Sequence, residues 1–495
     1  MSMTKITQDL YAILGLPPDA TPEDVKQAYR RAAHRFHPDA NSNAGAALQF
    51  RDIAAAYEIL NDTTKRLDYD IQWRSTDFSS PYYALHVTPS KRVINVLGEP
   101  QVVYLLVEIT PERRPERDRE APLNLALVID RSTSMRGARL DQVKAAAHQI
   151  IDSLNEDDII SIVSFSDRAE VVVEATPTRA SERMTLKAMV STMQASGGTE
   201  ILQGLIHGLA ELHHHLDRKY VNHLILLTDG RTYGDEEDCI LLAETAAGDG
   251  IAISGMGIGE EWNDVFLDQV ASRTGGASAY VNSPGAVSRF LKERVRALGR
   301  SYAERLRLTV APDPDVTLES AFKLSPHPMP LPTDLQPIPL GTLEANRTAS
   351  VLLQLQLPPL TQAGFRPLAR LDVTGDIIFA DHAGYKVISD ISIEVAHNVP
   401  PEEPPLAILD ALGKLTLYRM QEKAEEAIRR GDVAEATRSL ENLATRLLAA
   451  GQDDLAHQAM AEARRVAHTH SLSEEGHKTL KYGTRALLLA PPKES

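Results

Sequence analysis

A chain of 495 residues exceeds what one hydrophobic core supports, so about three or four domains are expected. Its 43% hydrophobic and 24% charged residues exclude a disordered or fibrous chain. A net charge of -16 disfavours nucleic acid or anionic lipid as partner, and one cysteine excludes internal disulfides and cysteine-based zinc sites. The N-terminus has no basic-then-apolar leader pattern and no apolar run approaches the ~20 residues of a membrane span. The expectation is a cytoplasmic protein without membrane contact, with Cys239 as a small buried core residue.

The first predicted elements lie between Asp9 and Asp70. Asp9 to Leu16 is a short apolar segment, and Thr21 then offers an N-cap with Pro22 at the first helical position and Glu23 and Asp24 in the first turn. Val25, Ala28, Tyr29, Ala32 and Phe36 form one apolar stripe, with Lys26, Arg30, Arg31 and Arg35 away from it. Pro38 ends the helix near Phe36 and leaves His37 to Asp39 on an exposed turn. A second helix carries Phe50, Ile53, Ala54, Tyr57 and Leu60, making a helical hairpin with a polar tip.

This stretch resembles the J-domain family, through Tyr11-Ala12-Ile13-Leu14-Gly15, Ala28-Tyr29-Arg30, His37-Pro38-Asp39, Phe50, Ala56-Tyr57-Glu58-Ile59-Leu60, Arg66 and Tyr69-Asp70, over residues 8–72. The resemblance implies stimulation of ATP hydrolysis by a DnaK-type chaperone. It assigns docking to His37, Pro38 and Asp39, with Lys26, Arg30, Arg31 and Arg35 as the basic face. Ala40 stands where a basic residue usually follows the tripeptide, and position 34 is His34. The glycine/phenylalanine-rich and zinc-binding regions of general DnaJ proteins are missing after Asp70, so client capture is expected elsewhere in the chain.

Leu123 to Ile129 is a nearly unbroken apolar run, as in a strand buried on both faces, with Asp130 at its carboxyl end. A helix over Arg139 to Leu154 and strands over Asp158 to Phe165 and Val221 to Thr228 predict a doubly wound α/β sheet, with ligands beyond the carboxyl strand ends. Asp130 and Asp229 both fall at that edge. Two carboxylates ~4 Å apart repel by about 4 kcal/mol at an effective dielectric of about 20, which a cation or a proton relieves. Ser132, Ser134 and Thr199, on the loop Ser196-Gly197-Gly198-Thr199, add hydroxyl oxygens. Such an all-oxygen shell suits Mg²⁺, or Mn²⁺ or Ca²⁺, better than zinc.

The pattern resembles the von Willebrand factor A domain over residues 120–300, with its metal-ion-dependent adhesion site on Asp130, Ser132, Ser134, Thr199 and Asp229. The resemblance implies that an acidic residue of a protein client completes the metal shell. Thr133 and Glu200 stand where related bacterial sequences commonly carry Gly and Asn.

Short Val, Leu and Ile runs broken by Pro and Gly, within residues 78–118 and 303–397, predict one discontinuous β-sandwich flanking the A domain. Glu112 to Glu120 reads as a solvated charged loop, and 398–405 as a proline-rich linker. Residues 406–490 predict four helices in a bundle, a packing or self-association module. His213, His214 and His215 are consecutive on a helix and read as a surface cluster; with His223 they do not make a metal site. Enzyme motifs are missing. The expected function is a non-enzymatic co-chaperone that captures a client through the metal and engages a DnaK-type ATPase; the alternative is a metal-dependent assembly scaffold with the J-domain only a docking module.

Overall fold

The computed structural model describes residues 8–75, 81–112, 120–232, 234–282 and 284–489. They form two compact units, one from the segments up to Ala121, Arg300–Lys323 and Pro330–Pro405, the other from Pro122–Gly299, Leu324–Met329 and the chain from Leu406 onward. Most of the charged loop expected at 112–120 lies outside the described residues.

The first unit opens with α1 (Leu10–Leu14), α2 (Pro22–Phe36), α3 (Ala44–Leu60) and α4 (Thr63–Ser75). Thr21 Oγ1 accepts from the Asp24 N–H (3.2 Å) and Asp24 Oδ2 accepts from the Thr21 N–H (2.8 Å), so α2 begins at Pro22 with both orphan donors satisfied. It ends at Phe36 because Pro38 holds His37 in extended geometry (φ -63, ψ 135). Tyr11, Val25, Ala28, Phe36, Ile53 and Leu60 share the core. Arg66 Nε donates to the Tyr11 hydroxyl (3.1 Å), which donates to Asp70 (2.5 Å), fastening α4 to α1.

After β1 (Tyr83–Pro89), β2 (Val93–Asn95) and β3 (Gln101–Pro111) the chain enters the second unit. There run β4 (Leu123–Asp130), α5 (Ala138–Ser153), β5 (Ile159–Phe165), β6 (Ala169–Pro177), α6 (Arg183–Ser191), α7 (Ile201–His213) and β7 (Val221–Thr228). α8 (Glu236–Gly248), β8 (Ala252–Ile258), α9 (Asp264–Thr274), β9 (Ser278–Val281) and α10 (Pro284–Gly299) follow. The strands form one sheet in the order β6-β5-β4-β7-β8-β9, with β6 antiparallel to β5 and the other pairs parallel. Every residue of β4, β5, β7 and β8 is buried, as apolar strands covered on both faces require. The chain reverses direction across the sheet between β4 and β7, and such a switch point opens a crevice at the carboxyl ends of the strands.

Back in the first unit, β10 (Ser301–Pro312), β11 (Thr317–Ser325), β12 (Met329–Leu331), β13 (Ile338–Glu344), β14 (Ala349–Leu357), β15 (Gly364–Ile377) and β16 (His382–Ala396) join β1 to β3. They make two five-stranded sheets, ordered β1-β3-β14-β11-β12 and β13-β10-β15-β16-β2. Val103, Leu105, Leu308, Leu353, Leu371 and Val373 belong to their common core.

The second unit closes with α11 (Leu406–Arg429), α12 (Val433–Ala449), α13 (Asp453–Thr469) and α14 (Glu474–Leu487). α14 lies against α9 through buried charge: Arg485 donates to both Asp268 oxygens (2.9 and 2.6 Å), and Lys481 pairs with Asp268 (2.9 Å) and Asp264. The two guanidinium and ammonium charges hold the Asp268 carboxyl far below the usual range although burial pushes it up. The Tyr482 ring sits 5.9 Å from that of Trp262. No described helix is long and apolar enough to cross a membrane.

Candidate chaperone-docking turn and metal centre

In the first unit the tripeptide His37-Pro38-Asp39 caps the end of α2 as a tight turn. The Ala40 and Asn41 N–H groups both donate to the His37 carbonyl (2.9 and 2.8 Å), and the Asp39 N–H donates to His37 Nδ1 (3.2 Å). The imidazole packs edge-on against Phe50, with ring centres 5.1 Å apart. Pro38 and Asp39 are exposed, as are Lys26, Arg30 and Arg31 along α2. Arg35 differs: its guanidinium donates to Asp313 (2.5 Å) and Asp390 (2.9 Å) of the sandwich. Sequence periodicity places Arg35 off the core stripe but says nothing of these distant carboxylates.

In the second unit the register that sets Ile129 beside Leu227 brings Asp130 next to Thr228, whose hydroxyl donates to Asp130 Oδ2 (2.7 Å). Asp130 Oδ1 accepts from the Ser132 N–H (2.8 Å). The Ser132 and Ser134 hydroxyls stand 3.0 Å apart, and Ser134 donates to Asp229 Oδ1 (2.7 Å). Thr199 lies against Gly230, the residue after Asp229. All five residues named from the sequence therefore meet at the switch point.

The glycine loop is held on both sides. Thr133 donates through its N–H (3.0 Å) and hydroxyl (2.9 Å) to the Gly197 carbonyl, and Asp167 accepts from the Gly198 N–H (2.7 Å). Gly197 has φ +78, where a side chain would be strained, and a Cβ there would meet the Asp167 carboxylate at 2.4 Å and force it to shift.

Burial pushes the Asp130 carboxyl up, and the charge of Asp229 adds to that, while bonds from Ser132 and Thr228 pull the other way. Two buried carboxylates with three hydroxyls fit a hard divalent cation with an oxygen shell. Bound there, such an ion would neutralise the charge of the two carboxylates. Arg139, on the first turn of α5, donates to Asp229 Oδ2 (2.6 Å). Neither it nor Thr228 belongs to the sequence-derived set; Thr228 was concealed because its role depends on the pairing of β4 with β7.

Among the described residues no cluster of three or more His, Cys, Asp or Glu side chains forms a metal site. His213 pairs with Asp249 (2.9 Å) at the end of α7. His223 is buried in β7 with Nε2 2.9 Å from Ser254 Oγ, so it is no part of a surface cluster. Cys239 is buried on α8.

The chain thus holds a helical J-domain, a doubly wound α/β domain and terminal helices, and comparison with known proteins agrees. Residues 9–70 match the family described as DnaJ domain, residues 124–292 the von Willebrand factor type A domain, and residues 406–490 the Sll0103-like, C-terminal alpha-helical domain. The chain thus carries a DnaJ domain and a von Willebrand factor A domain.

Among particular proteins, it is 28% identical over 388 residues to the uncharacterized protein sll0103 of Synechocystis sp., spanning 76% of this chain and 90% of that one. It is 52% identical over 64 residues to the chaperone protein DnaJ of Methanosarcina thermophila, a match to 13% of this chain and 16% of the relative's length. A solved von Willebrand factor type A protein from Catenulispora acidiphila superposes with a TM-score of 0.65 at 16% identity, over 82% of this chain and 96% of that one. The ArnB paralog VWA2 from Sulfolobus acidocaldarius gives 0.51 at 15% identity, over 82% and 99%. At such identities the likeness is one of fold.

Proposed function

We propose that this protein is a co-chaperone that docks a DnaK-type chaperone through His37, Pro38 and Asp39 with Lys26, Arg30 and Arg31, and stimulates its ATPase. The observation that carries this reading is the exposed tripeptide turn at the end of a helix whose Lys26, Arg30 and Arg31 are also exposed, on a chain of net charge -16. A basic face on an acidic protein is a local docking signal for an acidic surface. The same reading gives client capture to the A domain. Asp130, Ser132, Ser134, Thr199 and Asp229 would hold Mg²⁺ or another divalent cation, whose open position takes a carboxylate from the client.

The test is single-turnover ATP hydrolysis by the host's DnaK-type chaperone with the intact protein and with His37→Gln. The expected result is stimulation by the intact protein, about tenfold or more, that vanishes in the variant. Stimulation by neither would reject this reading in favour of a metal-dependent assembly scaffold.

A further inference from the structure

Arg35 and Phe36 ahead of the tripeptide and Asn41 behind it are tied to the sandwich. Ahead of it, Arg35 donates from Nε to Asp313 Oδ1 (2.5 Å) and from a terminal nitrogen to Asp390 Oδ1 (2.9 Å). Asp390 also accepts two bonds from Arg370 of β15 (3.1 and 2.7 Å). Arg370 is buried, donates to the Ile13 carbonyl (2.9 Å) and lies 5.3 Å from the centre of the Phe36 ring. Behind the tripeptide, Asn41 is 1% exposed; its Nδ2 donates to the Pro312 carbonyl (2.9 Å) and the Arg35 carbonyl (3.3 Å). Gly45, at the start of α3, touches β10 so closely that a Cβ would lie 2.0 Å from the Val310 carbonyl oxygen. Two polar links follow along α3, Gln49 to Asp372 and Asp52 to Lys386.

Positions 35, 36 and 41 are therefore anchored to β10, β15 and β16, while Pro38 and Asp39 between them face solvent. A three-residue turn pinned at both ends has given up its freedom before any partner arrives, which lowers the cost of docking. To reach a chaperone carboxylate, Arg35 would first have to leave the two carboxylates that hold its Nε and one terminal nitrogen.

We propose that the β-sandwich is the positioning scaffold of the tripeptide, and that Arg35 is an internal clamp to Asp313 and Asp390 and not a chaperone contact. Arg35, Asn41, Arg370, Asp313 and Asp390 are positioning residues; Lys26, Arg30 and Arg31 remain the docking face. The working module is the J-domain together with the sandwich. This inference rests on the co-chaperone reading above.

The experiment is ATPase stimulation against concentration of full-length protein, for the wild type, Arg35→Ala, Asp313→Asn with Asp390→Asn, and the triple variant. Arg35→Ala and the double variant are expected to lower maximal stimulation by a similar factor, about three- to tenfold, with the half-saturating concentration changed less than about twofold. The triple variant is expected to be no worse than the double variant, which already removes both carboxylate partners of Arg35. Asp313→Asn alone, which leaves the Arg370–Asp390 pair intact, is expected to act in the same direction.

A direct chaperone contact by Arg35 would give the opposite pattern and overturn the proposal: Arg35→Ala would raise the half-saturating concentration, and the double variant, by freeing Arg35, would leave or lower it. Hydrogen exchange without chaperone supplies an independent readout. Faster exchange at residues 37–43 in the double variant, with α2 and α3 still protected, supports the clamp; unchanged exchange there overturns it. If the wild type does not stimulate, or His37→Gln still does, the co-chaperone reading fails, and the exchange result alone decides the clamp.

Discussion

Asp130 is fixed by its neighbours on both carboxylate oxygens at the end of β4. It is fully buried, and each oxygen already accepts one bond, from the Ser132 N–H and the Thr228 hydroxyl. Those donors fix the orientation of the carboxylate, and Ser132 in turn links through Ser134 to Asp229. Such outer support is what sets ligand geometry and metal affinity. In Mg²⁺ titrations by calorimetry, Asp130→Ala is expected to weaken binding by at least about a hundredfold and Thr228→Val by about tenfold. Binding heats equal to wild type in both would remove the metal assignment. Arg139 already places a positive charge on Asp229 and so offsets part of the repulsion that a cation would relieve.

At the scale of elements, α3 packs backbone to backbone against β10. Helix and strand approach through a missing side chain, Gly45 over Val310, and Ala311 of β10 is counted among the buried residues of the helical core. Gly45→Ala would favour the helix by propensity. The backbone clash outweighs that gain, because the obstacle is a carbonyl group in a sheet and not a flexible side-chain end. The variant is expected to lose about 1–3 kcal/mol in urea unfolding and to expose the α3 amides to exchange. Stability equal to or above wild type would mean that the helix can move off the strand at no cost.

For the whole molecule, the second unit joins its terminal helices to the A domain through buried charge as well as through the Tyr482–Trp262 ring contact. His477 of α14 stands 2.7 Å from Glu425 of α11 and 3.6 Å from Asp264 of α9, beside Lys481 and Asp268. Burial opposes its charged form, but Glu425 and Asp264 outweigh burial and Lys481, and its pKa is raised above the ordinary 6.5. A raised folded-state value means the stabilisation is fully present below the unfolded pKa and is lost as pH climbs through the folded one. The urea midpoint of this unit is therefore expected to fall as the pH rises above about 6.5, and His477→Gln to flatten that fall. An equal slope in the variant would assign the effect to other groups.

Several features of this protein were decided locally and could be read from its letters. α2 runs from Pro22 to Phe36 because a Thr-Pro-x-Asp cap and a proline two residues past the end act within one turn of chain. The buried strands β4 and β7 and the aspartates at their ends follow in the same way from unbroken apolar runs. Long-range partners carry no such local signal. That Thr228 supports Asp130 depends on which strands are neighbours, and that Arg139 meets Asp229 depends on where α5 starts relative to β7. Arg35 is the clearest case: on its own helix it is one of four basic residues off the apolar stripe, and only tertiary folding brings Asp313 and Asp390, 278 and 355 positions away, to its guanidinium. Periodicity and capping report the energy of a few adjacent residues, whereas an ion pair between distant segments exists only once the fold has brought them together.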